Sequence, residues 1–196
     1  MPDLENINFP ANVFGQLGPA DIANLLRITR TRKLAAGEVY IEAGSDSQKL
    51  AFINSGLIRV YHLKPNGDDL TLMLRWENQF IASVDGVIYQ RPNRFIYQAM
   101  EDTELLEMDY YKAEKIIGES LSLSSTKHSV LLHMLGEAME RVESFVLLTA
   151  EERYLKLIEE QPTLYNRVPD KYLATLLGIT PVSLSRIRKR IAQHPK

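Results

Sequence analysis

The stretch from Asp170 to Lys189 constrains what this 196-residue chain can fold into more than any other. Pro169 suits the first turn of a helix, where its missing N–H costs nothing, and Asp170 beside it favours the positive end of the helix dipole. Leu173, Leu176 and Leu177 then share one face, and small Ala174 lets a second helix cross closely. Gly178 supplies a residue that can take positive φ where a helix ends. After the turn Gly178-Ile179-Thr180, Thr180 can cap a second helix with Pro181 at its first position, and Leu184, Ile187 and Ile191 recur three and four apart on its inner face. The spacing predicts two helices joined by a tight turn, a helix-turn-helix.

The opposite face of the second helix carries Val182, Arg186, Lys189 and Gln193, flanked by Ser183, Ser185 and Arg190. A solvated basic face on an ordinary surface helix is the bland alternative. The small residue, the turn glycine and the three inner apolar positions together favour a motif that docks on double-stranded DNA. The candidate DNA-binding residues are Thr180, Val182, Ser183, Ser185, Arg186, Lys189 and Arg190. Hydroxyls and cations suit phosphates, the Arg186 guanidinium matches a guanine edge, and Val182 can touch a thymine methyl.

A net charge of −2 looks wrong for a nucleic-acid partner until it is divided along the chain. From Ala150 onward there are nine Lys/Arg against five Asp/Glu, or +4, while the first 149 residues carry −6. After Pro181 five residues are basic and none is acidic, the asymmetry of a small DNA-binding module on an acidic carrier. No apolar run is long enough to span a bilayer, and the acidic start Met-Pro-Asp-Leu-Glu-Asn is unlike a signal peptide, so a cytoplasmic protein with no membrane partner is expected. The absence of cysteine excludes disulfides, a thiolate nucleophile and a cysteine-held iron–sulfur cluster.

Pro19 to Ile28 reads as a short entry helix. Beyond Thr31 short apolar stretches are broken by turn signals at Ala36-Gly37, Ala43-Gly44, Ser55-Gly56, Pro65-Asn66-Gly67 and Arg91-Pro92-Asn93, the spacing of an antiparallel barrel or sandwich. Leu57–Leu63 and Leu70–Trp76 read as a hairpin joined by a type I′ turn at Asn66-Gly67, and Phe95–Met100 with Thr103–Met108 as a second strand pair. From His128 to Phe145, Leu131, Leu135, Ala138, Val142 and Phe145 alternate by four and three, with Leu132, Met139 and Val146 widening the stripe. Such a seam packs on its own β-domain or on a second copy; its place before a DNA module favours a homodimer. Thr149-Ala-Glu-Glu152 is a capping-box pattern that starts another helix, running to about Glu160, so a hinge is expected near Leu148 and Thr149.

In this order of parts the chain resembles the Crp/Fnr family of bacterial transcription regulators. The residues that carry the resemblance in the barrel are Gly37-Glu38, Gly44, Phe52-Ile-Asn-Ser-Gly56 and Gln79-Phe80-Ile81, followed by the helix-turn-helix. The resemblance implies an α+β protein with three segments: an antiparallel, cyclic-nucleotide-binding-like β-roll with its N-terminal helix over residues 1–120, a dimerisation helix over 121–148, and an all-α helix-turn-helix domain over 149–196. It further implies an inverted-repeat operator and a β-roll that can sense a small-molecule effector, with Glu77, Phe80, Ala82, Ser83, Asn93 and Arg94 as the candidate pocket.

The departures from the family pattern matter as much. Nucleotide-binding members carry Gly-Glu-Leu after the Phe-Ile strand, with the Glu on the ribose, and an Arg-Ser or Arg-Thr pair for the cyclic phosphate. Here those places read Ala82-Ser83-Val84 and Asn93-Arg94. A cyclic phosphate without its counter-charge loses a charge-assisted pair, so cyclic AMP is not expected as the effector. The chain ends directly after the second motif helix, like short family members without a β-wing, and weaker DNA affinity is expected from that.

Catalysis is not expected. Cupin-type metal sites need several converging His and carboxylate ligands, yet His62 is the only histidine before the helical segment, and His128 and His133 are poorly spaced for one helix face. No glycine-rich phosphate loop, nucleophile elbow or HExxH pattern occurs, so no cofactor and no metal are expected. The remaining alternative is a dimeric small-molecule-binding or partner-binding protein with a vestigial DNA motif.

Overall fold

Short strands interrupted by turn residues build the first part of the chain, and amphipathic helices the second. In the computed structural model, which describes residues 17–193, the elements run α1 Pro19–Ile28, β1 Arg30–Leu34, β2 Val39–Ile41, β3 Lys49–Ser55, β4 Ile58–Leu63, β5 Asp69–Arg75, β6 Phe80–Ala82, α2 Val84–Val87, β7 Ile96–Ala99 and β8 Thr103–Asp109. Helices α3 Tyr110–Gly118, α4 Leu121–Leu147, α5 Ala150–Glu160, α6 Leu164–Arg167, α7 Asp170–Leu176 and α8 Pro181–Gln193 follow. His194 and the acidic start of the chain lie outside the described residues.

The strands form two four-stranded sheets, ordered β1-β8-β3-β6 and β2-β7-β4-β5. In the first, β8 pairs antiparallel with both β1 and β3, with Arg32 opposite Leu105 and Phe52 opposite Leu106. Phe52 and Phe80, paired across β3 and β6, meet edge to face at 5.3 Å. Leu34, Ile41, Phe52, Ile53, Leu57, Ile58, Val60, Leu105 and Leu106 are buried. Removing each of these side chains from water stabilises the fold by about 1.5–3 kcal/mol, the usual range for a large aliphatic or aromatic group. The turn into β4 depends on Gly56: its φ is +95°, and a Cβ there would lie 2.4 Å from Thr103 Oγ1 and 2.7 Å from Thr103 Cα.

Two local expectations are corrected. The β4–β5 connection is not a two-residue type I′ turn. Asn66 is absent from the residues of positive φ and only Gly67, at +88°, is left-handed. The loop closes through Gly67 N–H to Lys64 O (2.9 Å) and Lys64 N–H to Asp68 O (2.8 Å). Proline locks φ near −65°, so Pro65 sets up an ordinary turn and Gly67 supplies the left-handed residue that follows it. The second correction concerns β7 and β8, which are strands as expected but do not pair with each other. β7 lies beside β2 and β4, whereas β8 lies between β1 and β3. The chain switches sheets through Met100–Asp102, and Thr103 anchors the corner by accepting the Leu57 N–H on its hydroxyl (3.2 Å).

By compactness the chain divides into two units. Among the described residues, the first comprises 17–60 and 74–135, the second 61–73 and 136–193. Within the first, α1, α3 and the start of α4 share a small apolar cluster of Leu17, Ile116 and Leu123, with Ile22, Leu25 and Ile28 against it. The expected entry helix thus has its own partner. Helix α4 is 27 residues long and contains the seam read from the sequence. Its stripe is uncovered in the single chain: Leu131, Leu135, Met139 and Val142 are 51–58 % exposed. The α4–α5 break falls at Leu148 and Thr149, where Thr149 Oγ1 accepts the Glu152 N–H and the Glu152 carboxylate accepts the Thr149 N–H, a complete capping box.

Candidate DNA interface and effector cassette

In the second unit, α7 and α8 form the helix-turn-helix. Leu173, Ala174, Leu176 and Leu177 are buried, as are Leu184 and Ile187 on the inner side of α8. Gly178 takes φ +72° at the turn, and Thr180 Oγ1 accepts the Ser183 N–H at 3.2 Å, capping α8. Val182, Ser185, Arg186, Lys189 and Arg190 are exposed, with Thr180 at the same end and Ser183 half-buried. All seven candidate DNA-binding residues therefore fall on α8 or its cap. Arg190 also pairs with Glu151 of α5 at 3.0 Å, which leaves Arg186 and Lys189 as the cations at the centre of the outer face.

What fixes this face in place was not read from the sequence. Helix α7 ends with carbonyls that its own backbone cannot satisfy. Arg141 Nη2 donates to Leu176 O (3.1 Å), and Arg153 donates through Nε and Nη2 to Leu177 O (3.3 and 3.0 Å). Both guanidiniums also lie over the Phe145 ring, at 5.2 and 4.6 Å from its centre. On the other side, Arg188 donates to Tyr154 Oη (3.0 Å) and to Asp170 (2.7 Å), joining α8 to α5 and α7. Burial works against the Arg188 charge, but Tyr154 and Asp170 more than offset it and push its pKa upward. The helical period leaves Arg188 off the outer face that carries Arg186, but its partners Tyr154 and Asp170 are set only by packing. Thr175 of α7 is bonded to Thr71, Oγ1 to Oγ1 at 2.9 Å and from the Thr71 N–H at 3.2 Å, which ties residues 61–73 to the motif within the same unit.

In the first unit, the segment from β6 to β7 is a cassette folded around one buried carboxylate. Asp85, on the short helix α2, is 1 % exposed. Its Oδ1 accepts from Arg91 Nε (2.8 Å) and Arg94 Nε (3.0 Å), and its Oδ2 from the Arg94 backbone N–H (3.1 Å). Burial acts to raise the carboxyl pKa, but the hydrogen bonds and charge of Arg94, with those of Arg91, outweigh it and hold the group below its ordinary 3.8.

Of the six candidate pocket residues, the fold brings together Ser83, Asn93 and Arg94. Ser83 Oγ bonds Asn93 Oδ1 (2.6 Å) and the Ser47 carbonyl, and Asn93 Nδ2 donates to Ser45 O (2.8 Å). Ala82 sits at the edge, where its carbonyl accepts from Tyr97 Oη (2.9 Å). Phe80 packs on Phe52, and Glu77 accepts the Gly56 N–H (3.0 Å) at the β3–β4 turn. The missed members are Asp85 and Arg91. A lone Asp in a turn-like Val-Asp-Gly carries no sequence signal, but an acidic residue six and nine positions before two arginines is a pattern that could have been noticed. Among the described residues no three of His, Asp and Glu are grouped so as to hold a metal, and no helix is long and apolar enough to cross a membrane.

Comparison with known proteins agrees with this geometry. Residues 31–120 match the cyclic nucleotide-binding domain. The chain is 25 % identical over 190 residues to a "Probable transcriptional activator" of Rhizobium leguminosarum bv. viciae, covering 91 % of this chain and 78 % of that protein. Its fold is similar to that of FixK2 from Bradyrhizobium japonicum, with a TM-score of 0.73 at 15 % identity over 85 % of each chain. It is also similar to a "putative transcriptional regulator of the crp/fnr family" from Eubacterium rectale, with a TM-score of 0.69 at 16 % identity over 94 % of this chain and 87 % of that one. A cyclic-nucleotide-binding-type β-roll, a long helix and a helix-turn-helix are the architecture of the Crp/Fnr transcription regulators. This chain has that fold.

Proposed function

We infer that this chain is a cytoplasmic transcription regulator that binds double-stranded DNA as a two-fold homodimer. The observation that carries the reading is α8, a capped helix of 13 residues with Leu184 and Ile187 buried on one side and Val182, Ser185, Arg186 and Lys189 exposed on the other. In the major groove such a helix presents Arg186 to base edges and Lys189, Arg190, Thr180, Ser183 and Ser185 to phosphates.

The uncovered stripe of α4 supports the dimer, since a seam of large apolar groups in water is costly unless a second copy covers it. Functionally the chain then has an effector region to residue 120, a dimerisation helix to 148 and a DNA-binding region beyond. Two symmetry-related α8 helices require an inverted-repeat operator. The β-roll responds to an effector other than cyclic AMP, because neither the ribose carboxylate nor the Arg-Ser pair of the nucleotide-binding pattern is in the sequence. No catalytic role is assigned.

Selection of duplexes from a random library, followed by titration at several salt concentrations, tests the reading. An inverted repeat whose affinity falls steeply with salt is the expected outcome. Enrichment of no sequence would leave a dimer with an unused motif.

A further inference from the structure

The Asp85 cassette has the donor set of an oxyanion site, with the anion supplied by the chain itself. One carboxylate takes Nε–H groups from two guanidiniums and a backbone N–H, while Arg91 Nη2 approaches Oδ1 at 2.8 Å as well. The carboxylate is inside and the guanidiniums outside: Arg91 and Arg94 side chains are 45 % and 53 % exposed. Each is held against a ring, Arg91 over Tyr89 at 4.6 Å and Arg94 over Phe95 at 5.1 Å. Beneath them the floor is packed. Ser83 and Asn93 are buried and bonded to each other and to the Ser45 and Ser47 carbonyls, and a Cβ on Gly86 would lie 2.1 Å from Ser47 O. A buried carboxylate is very costly without such partners, so its retention here gives the two arginines an internal counter-ion.

We propose that Asp85 is the resident anion of this cassette: it occupies Arg91 Nε and Nη2, Arg94 Nε and the Arg94 backbone N–H, the inward donors that a phosphate or carboxylate seated in the cassette would need, so the cassette takes no anionic effector while Asp85 is in place. This rests on the reading that cyclic AMP is not the effector, and supplies its cause. Any effector seated in the cassette is then neutral or cationic, or must displace Asp85. The site becomes a receptor for small oxyanions once the carboxylate is removed.

The test is chemical rescue in the full chain. Asp85→Ala deletes the carboxylate and leaves a gap the size of formate between the guanidiniums. Sodium formate should raise the melting temperature of Asp85→Ala by a few degrees over sodium chloride of equal ionic strength. It should do so neither for the wild type nor for Asp85→Ala combined with Arg94→Leu. If Asp85→Ala does not fold, Asp85→Asn and Arg94→Leu are compared singly and together. At least fivefold coupling in the unfolding equilibrium constant is expected, and additivity within twofold overturns the proposal. Equal action of formate and chloride on Asp85→Ala also overturns it, and leaves the reading on cyclic AMP standing. Stabilisation of the wild type by cyclic AMP overturns both.

Discussion

Phe145 lies against Gly178: a Cβ built on the glycine would come within 2.9 Å of Phe145 Cε1. The turn of the helix-turn-helix thus needs glycine twice, for its φ of +72° and for the room the ring takes. The ring in turn carries the guanidiniums of Arg141 and Arg153, which satisfy the carbonyls at the end of α7. Phe145 belongs to the a/d stripe by spacing, yet it serves as the seat of the helix-turn-helix within one chain.

Gly178→Ala is expected to destabilise the protein by about 1–3 kcal/mol, since a left-handed non-glycine residue carries that order of strain and the ring must also move. In a Phe145→Ala background the steric part vanishes and the backbone part remains, so the second penalty should be smaller. Urea unfolding of the four proteins measures both. Equal penalties in the two backgrounds would remove the ring from the argument.

Arg186→Ala should lower discrimination between the selected operator and random duplex by ten- to a hundredfold, corresponding to about 1–3 kcal/mol for a bidentate arginine–guanine contact. Circular dichroism should be unchanged, since Arg186 is exposed. Competition binding that returns the wild-type ratio would show that Arg186 reads no base.

Leu135→Glu should yield monomers in sedimentation, because it places a charge in the middle of the stripe on α4. The wild-type dimer should select half-sites whose centres are about 34 Å apart, one turn of DNA. A wild-type monomer at micromolar concentration, or an operator without dyad symmetry, contradicts the dimer.

Asp85 sets an acid limit. Its folded pKa is lower than its unfolded value, so the folded state binds the proton less tightly than the unfolded chain does. The stability it contributes is therefore complete above the ordinary carboxylate value and is lost as pH falls through the depressed folded one. Asp85→Asn should be less stable than wild type at neutral pH, and the gap should close in acid below the usual carboxylate range. Chemical denaturation across pH checks the sign, and a gap that widens toward acid would refute it.

Millimolar cyclic AMP should leave the wild-type melting temperature unchanged. A ligand at a hundred times its dissociation constant would add about 2.7 kcal/mol of stability, a rise of several degrees. Calorimetric binding in the micromolar range would make Arg94 the first residue to substitute.

Much of the architecture was legible in the residues because it depends on local chemistry. The left-handed glycine at 178, the Thr180 cap, the Thr149–Glu152 box and the three–four spacing of Leu184 and Ile187 each act within a few positions of the chain. The concentration of basic residues after Pro181 is likewise a property of the sequence alone. Pairing of distant segments was not legible. β7 and β8 are adjacent in sequence and lie in different sheets, because a strand's partner is chosen by which edge is free in the folded roll. Helical period keeps Arg188 off the outer face with Arg186, but that it bonds Tyr154 and Asp170 is set by the helices packed against it. Asp85 is the clearest case. By sequence it is an ordinary turn carboxylate, and only burial, which makes an unpaired charge too costly to keep, draws Arg91 and Arg94 around it.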